Sequence, residues 1–418
     1  MRPLALLLAT ALAVPALAQA PIAPTAPALV GAEVPPLLDR DLFFGNPEIT
    51  GAQLSPDGAF LTFLKPVDDV LNVWVKGIDE PFEAARPLTA DERPVGGYFW
   101  SRDGAYVLYV QDKGGDENFH VWAVDPAEAG GDGVPEARDL TDAEGVRAII
   151  LDVPEGDPGH ILVGLNDRDP AYHDVYRVAI ATGERELLIE NTEQIAGWMT
   201  DLDGEVRLAL RTAGDGSTEV LTVADGTVGE VVYSCSVVET CGPLRFHPDG
   251  QRVYMQTNQG DRDLVELILF DPATGTETLV ERDPEGQVDL GGAAFSEVTD
   301  EMLATFYDGD RLRIYPKDEA FAADLALLRE RLPDGEVRPG GGTADERTWL
   351  VTVFSDTDPG SRYVFDRDTK ELTFLYRGRP DLPTEHLAPM APVRYTARDG
   401  MEIPAYLTLP QGVEAEGL

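Results

Sequence analysis

Eight serines could supply a nucleophile: Ser55, Ser101, Ser217, Ser234, Ser236, Ser296, Ser355 and Ser361. A serine does this work when a sharp strand-to-helix turn exposes its Oγ, and Gly-x-Ser-x-Gly marks that turn. None of the eight has that surround, and Ser55 and Ser101 sit in inter-strand turns that a hydroxyl caps. Five histidines, His120, His160, His173, His247 and His386, are scattered through the chain. They form no HExxH and no His/Cys cluster, so zinc chemistry has no ligand set here. His173 precedes Asp174, but adjacency in sequence does not orient an imidazole against a carboxylate. The sequence assigns no catalytic residue, no metal ligand and no cofactor.

The most distinctive polar stretch is "QDKGGDENFH" at 111–120. Its acids and amides suit either a calcium ion or a peptide amine. Its spacing departs from the Asp-x-Asp-x-Asp-Gly calcium loop, and a polar hairpin tip accounts for it as well. Two cysteines occur, in "CSVVETC". In an exported chain, where oxidation is permitted, the expected arrangement is a Cys235–Cys241 disulfide closing a short loop, the alternative being two unbridged thiols.

Such residues must be positioned by something, and the chain is periodic. "SPDG" at 55–58 returns as "SRDG" at 101–104, "DLDG" at 201–204 and "HPDG" at 247–250, with a degenerate "PEGDPG" at 154–159. Each is followed by an apolar run: "AFLTFLK", "AYVLYVQD", "HILVGLN", "EVRLALR", "QRVYMQT". These read as strands bounded by turns. A second set runs through "NVWVKGI", "HVWAVD", "DVYRVAI", "EVLTVAD", "ELILFD", "RLRIYP" and "RYVFDRD". Aligning Val73, Val121, Val175, Val220, Leu267, Leu312 and Arg362 gives steps of 48, 54, 45, 47, 45 and 50 residues. That is the period of a propeller blade. The expected fold is all-β, a seven-bladed β-propeller over 45–385 with four-stranded blades. One helix, "DEAFAADLALLRERL", carries Phe321, Leu325, Leu328 and Leu332 on one face and reads as a surface insertion in blade six.

Composition narrows the class. The net charge is −42, from 75 acidic and 33 basic residues. Such a surface repels nucleic acid and anionic membranes. The N-terminus reads as a signal peptide over 1–18: Arg2, an apolar run from Leu4 to Val14, and Ala16-Leu17-Ala18, with cleavage between Ala18 and Gln19. A proline-rich lead-in follows over 19–44. The expected location is therefore periplasmic or extracellular.

The final segment, 386–418, reads as a linker and a hairpin. Strands run over 393–398 and 401–409 around a two-residue Asp399-Gly400 turn. Ile403, Tyr406, Leu407 and Leu409 on the second strand need a partner.

The entry "FFGNPEITGAQLSPDGAFLTFL", the loop "DKGGDENFHVWAVD", the helix in blade six and the exit "VRYTARDGMEIPAYLTLPQG" together resemble the prolyl oligopeptidase family of serine peptidases, in its bacterial acylaminoacyl-peptidase and dipeptidyl-aminopeptidase-like branch. The resemblance implies a seven-bladed propeller followed by an α/β-hydrolase domain that opens with such a hairpin. It implies hydrolysis of short peptides by an activated serine, with the propeller restricting entry. The family's catalytic Ser, Asp and His match no position here, so these 418 residues alone are expected to hydrolyse no peptide. The rival reading is a stand-alone, TolB-like propeller that binds a protein partner.

Overall fold

The computed structural model describes residues 34–129 and 133–412. The signal peptide, the Ala18/Gln19 cleavage site and most of the proline-rich lead-in lie outside them. At the end of that lead-in Asp41–Phe44 forms a single helical turn, α1.

The apolar runs form strands because both of their faces are used. In blade two, Val107 and Tyr109 pack toward blade one, against Val73, Val75 and Leu64. Leu108, between them in sequence, points the other way, toward Ile161, Val163 and Val178 of blade three. Successive strand side chains alternate in direction, so a continuous apolar run feeds two inter-blade cores at once. Leu61, Phe63, Val73, Val75, Val107 and Leu108 are fully buried.

Seven antiparallel sheets result, arranged in a ring as a seven-bladed propeller. They span 50–87, 98–139, 148–189, 197–235, 241–281, 290–316 and 336–377. The seven aligned segments of the second sequence register are the third strands of the seven blades. The five turn motifs join first to second strands of blades one to five.

Blade six departs from the four-stranded expectation, having three strands. After its third strand, Leu312–Pro316, the chain enters helix α2, Glu319–Arg331. Asp318 caps it, accepting from the Phe321 N–H at 2.7 Å. Phe321, Leu325, Leu328 and Leu332 are buried on one face, as their spacing requires, against Trp349, Val351 and Phe365 of blade seven and Ala304 and Ile314 of blade six. The helix is therefore part of the core between two blades and not a surface insertion. A fourth strand cannot form there because the sequence repeats its apolar residues at helical spacing.

Among the described residues every sheet is built from consecutive strands, and no strand exchange closes the ring. Closure is by packing between blades one and seven. Ile49, Ala52, Leu54, Leu61 and Phe63 meet Leu350 and Tyr376 in one cluster. The Ala52 N–H donates to the Tyr376 hydroxyl at 3.3 Å, and the Ala344 N–H to the Pro56 carbonyl at 2.8 Å. Arg379 donates to the Leu42 and Gly45 carbonyls at 3.1 and 2.9 Å.

The ring lies in one compact unit, Leu38–Thr384, and the C-terminal hairpin belongs to another. The hairpin pairs Met390–Thr396 with Glu402–Thr408, Met390 opposite Thr408. Its turn differs from the two-residue expectation. The Gly400 N–H donates to the Ala397 carbonyl at 3.0 Å and the Ala397 N–H to the Met401 carbonyl at 2.7 Å. Gly400 alone adopts positive φ, +91°. Arg398 and Asp399 are thus the centre of a common turn, and Gly400 forms a bulge after it. Tyr395, Met401, Tyr406 and Leu407 are exposed.

Candidate functional site at the mouth of the ring

Ser55 and Ser101 are structural. The Ser55 hydroxyl donates to Asp57 Oδ1 at 2.6 Å and accepts from the Phe60 N–H at 2.9 Å. Ser101 repeats this with Asp103 and the Tyr106 N–H. Gly58 and Gly104 follow at φ +74° and +70°, the left-handed region that glycine enters freely. The other side chains of each turn are thereby held at one end of the ring.

Blade seven contains the same turn in a form the sequence pattern hides, "TADE" at 343–346. Thr343 donates to Asp345 at 2.6 Å and accepts from the Thr348 N–H at 3.2 Å. Glu346 occupies the glycine position at φ +56°. Its carboxylate accepts from the Ser296 hydroxyl at 3.0 Å and the Glu297 N–H at 2.7 Å, both in the corresponding turn of blade six. Those bonds offset the left-handed backbone.

Among the described residues, no hydrogen bond joins a serine hydroxyl to a histidine ring. Ser217 and Ser236 donate to nearby carboxylates, Asp215 at 2.6 Å and Glu239 at 2.8 Å. His120 Nδ1 lies 2.6 Å from Asp139, His160 Nδ1 lies 2.8 Å from Asp157, and His247 Nδ1 accepts from the Asp249 N–H at 3.1 Å. His386 ends a short 3-10 turn, Thr384–His386. His173 and Asp174 diverge: Asp174 binds Arg168, and the buried His173 Nε2 has no hydrogen-bond partner. Burial, and then the Arg147 charge, lowers the His173 pKa below its ordinary value.

The 111–120 loop spends its polar groups on its own neighbourhood. Asp112 pairs with Arg93 Nε at 2.9 Å and accepts from the Glu117 N–H at 3.1 Å. Asp116 accepts from the Asn118 N–H. Lys113 sits 3.1 Å from Asp139 and 3.6 Å from Asp142. His120, Asp139 and Asp142 bring ligand-type atoms within 4.8 Å of one another. The Lys113 ammonium already offsets one of the two carboxylate charges in that grouping, an arrangement a polar hairpin tip accounts for.

A cavity of about 350 Å³ lies where the first-to-second-strand turns converge. Gln53 and Pro56 of blade one, Trp100 and Arg102 of blade two, Glu297 of blade six and Ala344 of blade seven all line it. Residues of such widely separated blades meet only around the axis of a ring. Arg102 Nη1 and Glu297 Oε2 are 2.7 Å apart across it. Sequence reading missed these residues. Their one signal is that Pro56, Arg102 and Ala344 share the second position of the turn motif.

No family model matches this chain. It is 38% identical over 382 residues to dipeptidyl aminopeptidase BIII of Pseudoxanthomonas mexicana, covering 91% of this chain and 54% of that protein. It is 25% identical over 390 residues to dipeptidyl peptidase family member 6 of Caenorhabditis elegans, covering 90% of this chain and 52% of the relative. The chain spans about half the length of the curated relatives it matches. Among solved structures, a prolyl endopeptidase superposes with a TM-score of 0.60 at 13% identity, covering 89% of this chain and 55% of that one. Prolyl oligopeptidase B from Galerina marginata does so at 0.56 and 13%, covering 88% and 56%. At such identities the structural likeness is one of fold. The chain is a homologue of dipeptidyl aminopeptidase BIII across its propeller region, and that propeller has the architecture found in prolyl oligopeptidases.

Proposed function

We propose that this chain is the propeller of an exported serine peptidase that acts on short peptides, the ring restricting what reaches a hydrolase domain. The observation that carries this reading is the 38% identity to dipeptidyl aminopeptidase BIII over 91% of the chain. The narrow, charge-crossed cavity on the ring axis supports it, since it suits an extended peptide better than a folded protein. The serine, histidine and aspartate of the proposed reaction are residues that the described part of the chain does not bring together. The nucleophilic serine would attack the peptide carbonyl, forming an acyl-enzyme as the amine leaves, and water would then release the acid. Export rests on the Arg2 to Ala18 pattern and on a cysteine pair suited to an oxidising compartment.

The test is to express the complete reading frame that contains these residues, beside residues 1–418 alone. Both are assayed with a fluorophosphonate probe and with peptides of graded length. The reading expects probe labelling and cleavage of short peptides from the complete frame only. A complete frame that neither labels nor cleaves would favour the stand-alone propeller. Labelling of the 418-residue chain at one serine, lost when that serine is replaced, would place the nucleophile in this chain after all.

A further inference from the structure

The Arg102–Glu297 pair belongs to a larger array at the same end of the ring. Arg102 also donates from Nε to the Val153 carbonyl at 3.0 Å, and its Nη2 lies 3.9 Å from Glu155 in the blade-three turn. Glu155 in turn lies 3.8 Å from Arg245 of blade five, and Arg245 pairs with Asp300 of blade six. Glu297 is steadied through its backbone by Glu346 of blade seven. Charged groups from blades two, three, five, six and seven therefore meet over one mouth. Blades one and seven place Pro56 and Ala344 at the second position of their turns, and both residues line the cavity. The mouth is barred by ion pairs on one side and lined by small, apolar residues on the other.

Blades two and six are not neighbours in the ring, so their ion pair cannot be part of an inter-blade seam. It spans the opening. Its side chains keep 32% and 50% of their exposure. Exposed pairs of this kind contribute too little to matter for the stability of a seven-blade ring. They are strong enough to occupy the opening and weak enough to part. Burial pushes the Glu155 carboxyl above its ordinary range, against the pull of Arg102 and Arg245 and with the push of Glu297 and Asp300. Three carboxylates, Glu155, Glu297 and Asp300, face two guanidiniums, Arg102 and Arg245, so the array is short of full charge compensation.

We propose that Arg102 and Glu297 form a latch across the ring axis that sets the size limit for peptides passing this mouth. This deepens the access-filter reading and rests on it. In the latch's closed state the open passage is the small, apolar sector beside Pro56 and Ala344. An extended peptide end fits such a sector, whereas a folded chain requires the pair to separate.

The experiment uses a thiol reporter and needs no peptidase activity, so its outcome is independent of whether the hydrolase reading holds. The chain's two cysteines, Cys235 and Cys241, are bonded to each other in the structure. Gln53→Cys, on the cavity wall, therefore supplies a single free thiol. Its modification is timed with N-ethylmaleimide and with a maleimide on a long polyethylene glycol chain. The latch predicts that Arg102→Ala/Glu297→Ala speeds the bulky reagent by up to roughly thirtyfold, the factor two exposed pairs at the upper end of their range would supply. The small reagent should change little. Raising salt from about 0.1 to about 1 M shortens the Debye length from about 10 to about 3 Å. It should speed the bulky reagent with the latch intact and not in the double variant. Equal bulky-reagent rates with and without the pair would overturn the proposal. If the double variant fails to fold, Glu297→Gln, which removes one charge and keeps the shape, gives the same readout with the same criterion.

Discussion

Asp174 takes both nitrogens of the Arg168 fork, Nε at 2.7 Å and Nη2 at 2.7 Å, and makes no bond to the histidine beside it. It also accepts from the Asn191 N–H at 2.7 Å. Burial alone would raise this carboxyl, but the Arg168 bonds, the Asn191 N–H and the guanidinium charge hold it below its ordinary value. The unfolded chain takes up this proton at an ordinary pKa of about 3.9, and the native chain only at lower pH. The contribution is therefore complete above about pH 4 and is lost as pH falls through the depressed native value. Asp174→Asn should lower stability at pH 7 by about 2 kcal/mol, as expected for a lost charge-assisted bidentate bond. It should also flatten the acid limb of the stability curve, measured by urea unfolding between pH 2 and 7. An unchanged acid limb would place the linkage elsewhere.

The turn glycines should not be equivalent. Gly58 and Gly250 share the left-handed backbone, at φ +74° and +68°. A Cβ at Gly58 would meet Thr343 Cγ2 at 2.9 Å, while at Gly250 it would meet nothing within 4 Å. Thr343 cannot easily retreat, because its hydroxyl is held by Asp345 and the Thr348 N–H. Gly250→Ala should cost about 1 kcal/mol, the left-handed penalty alone. Gly58→Ala should cost measurably more, about 2 kcal/mol or above, with the difference read from paired denaturant melts. Equal costs would mean that the blade one–blade seven contact is loose.

The blades were legible because their middle strands are apolar on both faces, and that demand is local to each repeat. Val73, Val121, Val175, Val220 and Leu267 are all fully buried. The missing fourth strand of blade six could be read only by asking what the helix replaced. The blade-seven turn escaped because Glu346 stands where the pattern has glycine, made tolerable by partners in another blade. The Arg102–Glu297 pair escaped for a stronger reason. Its residues are 195 apart, and only closure of the ring brings them together. The hairpin turn was misjudged because Asp-Gly suits two turn types, and the structure uses glycine alone in the left-handed region.

The cysteine pair should be a bond in the native protein. Cys235 and Cys241 have Cα atoms 5.9 Å apart, within the span a disulfide covers. Both sulfurs lie in the core between blades four and five, beside Tyr233 and Phe246. The loop they close is short, so its entropic contribution should be about 2 kcal/mol. Cys235→Ser/Cys241→Ser should lower stability by about that amount. Native protein purified without reductant should show no free thiol by mass after alkylation. Two alkylated thiols would count against the bond.

Asp324 gives the sharpest test of how helix α2 is built into the ring. Its side chain is 2% exposed, a costly place for a carboxylate unless it is paired. Arg367 Nε lies 2.9 Å from one oxygen, and Lys370 pairs with the other. Both partners belong to blade seven, in the turn after its third strand. The Arg367 guanidinium also lies over the Trp349 ring at 4.0 Å, and Trp349 packs on Phe321 of the helix. One carboxylate thus ties the helix to the sheet that its apolar face covers. Removing one partner of a buried pair typically costs about 3–5 kcal/mol, since the other charge is left uncompensated. Here Arg367 and Lys370 retain 18% and 44% exposure and can turn to water, so the lower end applies. Asp324→Ala should cost about 3 kcal/mol, and Asp324→Asn slightly less. Asp324→Leu should recover part of the loss if the pocket tolerates its volume. Hydrogen exchange should localise the damage to 319–332 and to the outer strands of blade seven. Damage spread evenly over all seven blades would mean that the helix is no separate seam in the ring. A cost below about 1 kcal/mol would mean that the apolar face alone holds it.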